Sequence, residues 1–331
     1  MQQHHKLYVG MHDGVCTVTS SDGGQTWQQG QVTPLGHAVA RLSVSLTQPQ
    51  RAYLAAYESG VYRSDDGGLT WTHLASYPSA YAHSILVHPQ DAQTLYVGSE
   101  PAAIFRSCDG GETWEECSGF RAVPEAQNWF FHSDTRQSHV RDLRMAPHDS
   151  QRLYAGIEVG GVVGSHDGGI AWQQLPGTHD DIHCISLSAA GPQTIYVATA
   201  RGPYRSQDDG GHWELINDGL QRPYTLHIAA APDDAEVVLV SVSRNAGRQA
   251  PQFYRSTTGG RVWQLVESCG DPGDPDDMVV AFDWDVQAPQ RVYAGTDRGK
   301  LFCSNDRGMS WQRLLVTLPT VAVGALAVAP A

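Results

Sequence analysis

The chain has 331 residues, of which 41% are hydrophobic and 17% are charged, and it contains 34 glycines and 18 prolines. This composition is typical of a folded, turn-rich protein with a sizeable core, and it excludes an intrinsically disordered chain. The formal net charge is −13, and the 22 Lys and Arg residues form no continuous block. We therefore expect neither nucleic acid nor a membrane as a partner, and no apolar run approaches the ~20 residues of a membrane helix.

The start of the sequence and the cysteines indicate a reducing compartment. Residues 1–7 contain no apolar stretch of the kind found in a secretory signal. The six cysteines show neither CxxC spacing nor the spacing of a disulfide framework. The sequence therefore predicts a cytoplasmic protein with reduced thiols.

A short repeat organises the whole sequence. Seven segments share a serine, a turn rich in Asp and Gly, and a tryptophan at the seventh position after the serine. The seven tryptophans are Trp27, Trp71, Trp114, Trp172, Trp213, Trp263 and Trp311. Asp and Gly suit a tight turn, and Trp supplies an apolar plate that packs between sheets. One copy has Thr258 in place of the aspartate, which favours a structural role for the repeat over a catalytic one.

Each repeat contains the same succession of short predicted strands. An apolar run is followed by a strand of the Leu-Tyr-Val-Gly type, a Gly-rich turn, a strand that ends at the repeat serine, and a short strand after the tryptophan. Four such strands with Gly, Asp and Pro between them are typical of a propeller blade. The apolar runs lie at 39–44, 82–87, 140–146, 182–187, 225–230, 279–284 and 321–328.

The two ends of the sequence complement each other. The first Leu-Tyr-Val-Gly strand has no apolar run before it, whereas the run at 321–328 has no strands after it. We therefore predict an all-β, seven-bladed β-propeller with four-stranded blades, closed by pairing the N- and C-terminal strands in one blade. Such closure removes exposed sheet edges. Residues 1–331 are expected to form a single propeller domain.

The repeated turn resembles the Asp-box, or BNR, repeat of sialidase-like propellers, and the resemblance covers essentially the whole chain. Sialidases, xyloglucan hydrolases, sortilin-type receptors and photosystem assembly propellers share this repeat, so it implies a fold and no single function. The resemblance also implies an orientation. The first strand of each blade would line the central channel. The loops between strands two and three, with the loops between blades, would form the face opposite the repeat turns.

That orientation places several carboxylates on the expected functional face. Three successive repeats carry a glutamate in the loop between strands two and three, and further acidic residues lie near the starts of the inner strands. The candidate catalytic residues are Glu58, Glu100, Glu158, Asp142 and Asp180. General acid–base catalysis and glycoside hydrolysis both use such groups in pairs.

Histidines cluster in the same regions of the sequence. Aligning the predicted inner strands places His83, Arg141 and His183 in one row and His227 in the next row. Successive side chains of a strand point to opposite faces, so His227 is expected to point away from the other three. The candidate metal ligands are His83, His139, His183 and His227. Imidazole and carboxylate suit Zn, Cu, Fe or Ni, so a divalent metal ion is a candidate cofactor. No linear ligand motif such as HExxH supports it.

The longest step between repeats runs from Trp114 to Trp172, and its loop carries its own aromatic residues. A long loop is more often functional than a simple spacer, and exposed aromatic side chains can stack on sugars and other flat ligands. The alternative is that the loop folds its aromatics against the rim. The candidate substrate-binding residues are Arg141, Trp129, Phe130, Tyr224 and Arg201.

Two classes of function remain open at this point. The first is an enzyme with a His/Glu/Arg-lined pocket at the channel mouth opposite the repeat turns, acting on a small molecule or glycan. Its chemistry would be glycoside-hydrolase-like or that of a metal-assisted hydrolase or lyase. The alternative is a non-catalytic binding or assembly propeller. The arginine-rich surface expected for an assembly role is not evident in the sequence, so we favour the enzyme.

Overall fold

The computed structural model describes residues 4–131, 137–190, 194–266 and 277–330. Within these ranges, seven antiparallel sheets contain 29 strands. They are accompanied by one short α-helix, α1 (Ser118–Arg121), and one 3-10 helix at Pro124–Asn128. The predicted seven-bladed β-propeller is therefore confirmed. None of the described helices has the length and apolar character needed to cross a bilayer.

In blades 2 to 7, the four strands follow the chain outward from the channel. Blade 1 contains β1 (His5–Gly10), β2 (Gly14–Ser20), β3 (Gln28–Gln29) and β4 (Thr33–Pro34). Blade 2 contains β5 (Val39–Val44), β6 (Ala52–Ala56), β7 (Gly60–Ser64) and β8 (Thr72–His73). Blade 3 contains β9 (Ala82–His88), β10 (Asp91–Ser99), β11 (Ile104–Ser107) and β12 (Glu115–Glu116). Blade 4 contains β13 (Val140–Ala146), β14 (Asp149–Ile157), β15 (Gly161–Ser165) and β16 (Gln173–Leu175).

The remaining blades repeat this order. Blade 5 contains β17 (Ile182–Ser188), β18 (Thr194–Thr199), β19 (Gly202–Ser206) and β20 (Glu214–Leu215). Blade 6 contains β21 (Tyr224–Ala231), β22 (Asp234–Ser243), β23 (Gln252–Ser256) and β24 (Gln264–Leu265). Blade 7 contains β25 (Val279–Trp284), β26 (Val292–Thr296), β27 (Leu301–Ser304) and β28 (Gln312–Arg313), and the chain then returns to blade 1 through β29 (Leu326–Val328).

The ring closes as predicted, but with a shorter strand. β29 pairs antiparallel with β1 and becomes the inner strand of blade 1. The apolar run was predicted to be strand from residue 321, whereas strand pairing begins at Leu326. The preceding residues form a turn in which Gly324 N–H donates to the carbonyl of Val280 and Ala322 N–H donates to that of Gly10. These backbone bonds, one to blade 1 and one to blade 7, divert the segment from regular strand pairing.

The core lies between neighbouring blades, where the repeat tryptophans pack. Trp71 of blade 2 meets Tyr8 of blade 1 edge-on with ring centroids 6.2 Å apart, and Trp27 meets Tyr293 of blade 7 at 5.8 Å. The turns are fixed locally, since Asp109 accepts hydrogen bonds from Thr113 and Ser107 that lower its pKa to about 2. These contacts give the repeat a packing role.

A β-bulge interrupts the inner strand of six blades at the same point. In each of these strands, the pairing with the second strand of the blade skips one residue. The skipped residues are Ala40, His83, Arg141, His183, Leu226 and Val280. Bulges redirect side chains and concentrate near functional sites. The row that the sequence alignment placed at the channel mouth therefore corresponds to one repeated structural position.

The cysteines add no cross-link among the described residues. Cys16, Cys184 and Cys303 are buried, and Cys108 and Cys117 are also unpaired thiols. Burial raises the pKa of Cys16 to about 11, which keeps that thiol protonated at neutral pH. Cys269 lies outside the described part of the chain.

Candidate functional site

A cavity of about 310 Å³ opens where the inner strands begin. Its wall consists of the starts of inner strands, loops between second and third strands, and the turn before β29. The lining residues are His12, Ala38, Val39, Ala40, Arg41, Tyr57, His83, Arg141, Arg248, Ala322 and Val323. The repeat turns follow the third strands and therefore lie at the opposite end of the blades. The cavity is on the predicted face.

A buried group of three potential ligands lies beside this cavity. Nε2 of His83 is 3.2 Å from Oε2 of Glu100, and Nδ1 of His139 is 3.7 Å from the same oxygen. The two imidazole rings stack with their centroids 4.0 Å apart. Glu100 follows β10 and His139 precedes β13, so the group joins blades 3 and 4. All three residues are buried.

Glu158 and Arg141 extend this group. Oε2 of Glu158 is 2.9 Å from Nε2 of His139 and 3.3 Å from Nη1 of Arg141. Burial acts to raise the pKa of Glu158, but the charge of Arg141 and the hydrogen bond from His139 outweigh it and hold that pKa below its usual range. Burial lowers the pKa of His83 to about 4. At neutral pH the site therefore contains an ionised Glu158 and a neutral His83.

A second polar network lies beneath the cavity, in the next row of the inner strands. Oδ2 of Asp142 is 3.2 Å from Nη2 of Arg144 and accepts a 2.8 Å hydrogen bond from Ile185 N–H. Sγ of Cys184 is 3.7 Å from Nε2 of His227. Burial, reinforced by nearby arginines, lowers the pKa of His227 to about 3. Asp142 and His227 are thus fixed in the interior and are absent from the described lining of the cavity.

His183 has partners of its own, apart from the His83 group. Its Nδ1 donates to the carbonyl of Thr225 at 2.7 Å, and its Nε2 is 3.4 Å from Asp181. The ring of Tyr224 lies 4.6 Å away by centroids. Of the four histidines proposed as metal ligands, the structure brings only His83 and His139 into one three-residue ligand group within the described residues. His183 and His227 lie outside it.

The remaining candidates are spread over the same face. Glu58 is exposed and pairs with His37 at 3.7 Å, and Arg201 is an exposed turn residue. Asp180 lines a separate cavity of about 300 Å³ together with Trp129 and Phe130. These residues are therefore placed on the predicted face but not in the cavity that His83 and Arg141 line.

The long loop between blades 3 and 4 combines both predicted behaviours. Trp129 packs on Phe120 with ring centroids 5.3 Å apart, so this aromatic folds against the rim. Phe130 is 44% exposed, whereas Phe131 meets the His139 ring edge-on at 5.4 Å. The loop thus supports the His139 side of the site, and Phe130 is a partly exposed aromatic on the same face.

Three cavity residues were missed by the sequence reasoning. Arg41 lies within an apolar inner strand, where a lone arginine was itself a signal. Tyr57 precedes the selected Glu58, and its ring meets that of His83 at 5.2 Å. Arg248 shares the loop between β22 and β23 with Arg244, and the conformation of that loop brings Arg248 and not Arg244 to the cavity wall.

Comparisons with known proteins place the fold near two groups. No family model matches the sequence. A probable oligoxyloglucan-reducing end-specific xyloglucanase from Neosartorya fischeri is 26% identical over 253 residues, which cover 70% of this chain and 27% of the relative. The chain therefore spans about a quarter of the length of this curated relative.

Solved structures resemble this propeller at low sequence identity. YCF48 bound to D1 peptide has a TM-score of 0.58 at 18% identity, covering 84% of this chain and 82% of that one. The GH74 enzyme of Niastella koreensis has a TM-score of 0.60 at 14% identity, covering 95% of this chain and 65% of that one. YCF48 from Cyanidioschyzon merolae has a TM-score of 0.58 at 16% identity, with 86% of each chain covered. These similarities show the propeller fold.

Proposed function

We propose that the protein is an enzyme acting on a small anionic molecule, such as an acidic sugar, in the cavity at the channel mouth. The supporting observation is the charge of the lining. Arg41, Arg141 and Arg248 reach this wall, and no Asp or Glu is among its described residues, although the net charge of the chain is −13. Guanidinium groups recognise carboxylates and phosphates through paired N–H donors.

Each of these arginines is held by a carboxylate behind the wall. The three pairs are Arg41 with Asp142 at 3.5 Å, Arg141 with Glu158 at 3.3 Å and Arg248 with Asp297 at 3.4 Å. Such partners orient the guanidinium but engage only some of its five N–H donors. Arg141 and Arg248, which are 26% and 31% exposed, can offer their remaining donors to an anion that enters the cavity.

Acid–base groups lie next to the proposed anion site. Burial, together with Glu100 and Glu58, raises the pKa of Tyr57, so its phenol stays protonated and can donate a hydrogen bond to a bound ligand. Glu158 is ionised and touches Arg141. This combination favours a hydrolase or lyase. The similarity to a xyloglucanase and the resemblance of the repeat to Asp-box propellers support a sugar as the substrate class.

Calorimetric titration with a matched pair of sugars tests this proposal. We expect D-glucuronate to bind about 10- to 100-fold more tightly than D-glucose, the range expected for one charge-assisted hydrogen bond. Arg248→Ala should remove that preference, whereas Arg244→Ala, from the same loop but outside the cavity lining, should preserve it. Equal binding of the two sugars, or equal behaviour of the two variants, would contradict the proposal.

A peptide-binding propeller is the second candidate. The match to YCF48 bound to D1 peptide covers most of both chains, and an arginine-lined cavity also suits a peptide carboxylate. Proton NMR of the protein mixed with a glucuronate-containing oligosaccharide separates the two functions, because a hydrolase or lyase would cleave its glycosidic bonds with time. An unchanged sugar, with saturable binding of a short acidic peptide that Arg248→Ala abolishes, would support the binding role.

A further inference from the structure

Two imidazoles and one carboxylate, those of His83, His139 and Glu100, converge behind the cavity wall. We infer that His83, Glu100 and His139 form a binding site for one divalent transition-metal ion. Their potential ligand atoms all lie within 4.8 Å of one another, and all three residues are buried. This inference does not depend on the proposed anionic substrate.

The first argument is the state of the two ring nitrogens. Nε2 of His83 and Nδ1 of His139 are buried, and neither makes a hydrogen bond to any described residue. Buried polar atoms are almost always satisfied by protein, water or an ion. Both nitrogens lie near the same carboxylate oxygen, at 3.2 and 3.7 Å. A metal ion between the three atoms would satisfy both nitrogens at once.

The second argument is the orientation of His139. Its Nε2 lies 2.9 Å from Oε2 of Glu158, and an ionised carboxylate only accepts hydrogen bonds. Nε2 must therefore donate, so Nδ1, which lies on the side of Glu100, is the nitrogen placed to coordinate a metal ion. Metal-binding histidines characteristically have such a carboxylate on the far nitrogen. Arg141 contacts the same oxygen of Glu158 at 3.3 Å and holds it in place.

The third argument is distance. Tetrahedral zinc has bonds of about 2.0–2.2 Å to nitrogen and oxygen, which puts ligand atoms roughly 3.3–3.6 Å apart. The separations of 3.2 and 3.7 Å from Oε2 of Glu100 bracket this range. These two separations are therefore compatible with ligands that share one metal ion.

The donor set selects the class of metal. Two imidazoles with one carboxylate suit Zn²⁺, Fe²⁺, Co²⁺ or Ni²⁺, whereas Ca²⁺ and Mg²⁺ prefer oxygen ligands. Three protein ligands leave at least one coordination position open, as in catalytic sites. Because His83 also lines the cavity, a ligand in the cavity would have access to that position.

Metal titration of the protein tests the inference directly. Tag-free protein, treated with a chelator and dialysed, is titrated with Zn²⁺ by calorimetry and with Co²⁺ by visible absorption. We expect one equivalent of each to bind, with Ca²⁺ and Mg²⁺ failing to compete at equal concentration. Crystals grown with Zn²⁺ should show an anomalous difference peak between His83 and His139. The absence of both stoichiometric binding and this peak would overturn the inference.

Variants assign the binding to these residues. Glu100→Gln and His139→Gln should weaken Zn²⁺ binding by more than the about 10- to 100-fold typical of an outer partner, and Glu158→Gln should fall within that range. His37→Gln changes an exposed histidine that also pairs with a glutamate and should leave the affinity unchanged. Equal affinity in all folded variants would place the metal elsewhere and refute the assignment.

The same titrations separate this inference from the proposed function. Glucuronate binding is measured in the chelator-treated protein, where the arginine-lined cavity is intact. Loss of the glucuronate preference with normal Zn²⁺ binding would contradict the anionic substrate alone. Normal glucuronate binding without stoichiometric Zn²⁺ binding would contradict the metal site alone.

Discussion

Arg41 and Asp142 form an ion pair at the centre of the ring, with Nε and Oδ1 3.5 Å apart and side-chain exposures of only 6% and 2%. The Arg41 guanidinium also donates to the carbonyls of His183 and Val323. A Cβ at Gly324 would overlap this guanidinium, and the residue has a φ of +69°, so both the space and the backbone require glycine. One side chain thereby joins three blades and the turn before β29.

The Asp142→Asn variant should unfold at a much lower denaturant concentration than the wild-type protein. Removing the charge leaves Arg41 buried without compensation, which costs about 3–5 kcal/mol of unfolding free energy. Asp65 provides the control, because it also pairs with two arginines but its side chain is 47% exposed. Asp65→Asn should cost about 0–1 kcal/mol. Similar losses in the two variants would show that the buried pair has no special role.

Asp283 should make stability depend on pH. Burial raises its pKa from 3.8 to about 6, although Val328 N–H donates to its Oδ2 at 2.7 Å. The folded state therefore binds the proton more tightly than the unfolded state, so this contribution to stability declines as pH rises from about 4 to 6 and then stays constant. Asp283→Asn keeps an acceptor for Val328 and removes the charge.

We therefore expect Asp283→Asn to have a higher melting temperature than the wild-type protein at pH 7.5. The difference should shrink at pH 5 and be negligible near pH 4, where the native carboxyl group is protonated. Thermal melts at these three pH values measure it. A melting-temperature difference that is the same at all three pH values would rule out the titration of Asp283 as its source.

Trp263→Ala should reduce stability without affecting ligand binding. Trp263 is 8% exposed, and its Nε1 donates to the carbonyl of Ile216 at 2.7 Å. Truncating a core tryptophan costs about 3–5 kcal/mol. Chemical denaturation measures the loss, and calorimetry should find unchanged glucuronate and Zn²⁺ binding below the transition. If the variant kept its stability but lost binding, the packing role of the repeat would be wrong.

Ending the chain at residue 319 should cause association. The truncation removes β29, exposes the edge of β1 and takes away the Val323 carbonyl that accepts from Arg41. Open strand edges pair with other chains. Size-exclusion chromatography with light scattering should show oligomers or aggregates where the full chain gives one species. A monodisperse truncated protein with an unchanged melting temperature would contradict the closure.

The sequence predicted the fold closely because the repeat specifies it locally. Six inner strands were placed within one residue at each end, whereas β29 begins at Leu326 and not at residue 321, and the row of His83, Arg141 and His183 corresponds to the repeated bulge. The grouping of side chains was harder to predict, since it depends on loop conformation. His139 precedes its strand and turns toward Glu100, whereas His183 turns toward Thr225 and Asp181. The alternation of side-chain direction along a strand does not specify which neighbours the His139 and His183 rings face.

The closure of blade 1 also determines where the ring is easiest to open. β29 pairs with β1 through three residue pairs, whereas the inner strand β21 pairs with β22 through seven. Local opening follows the segments with the fewest protecting bonds. Amide hydrogens of β1 and β29 should therefore exchange with solvent before those of the other inner strands. The turn ahead of β29 contributes Ala322 and Val323 to the cavity wall, so a bound ligand that contacts them would slow this exchange.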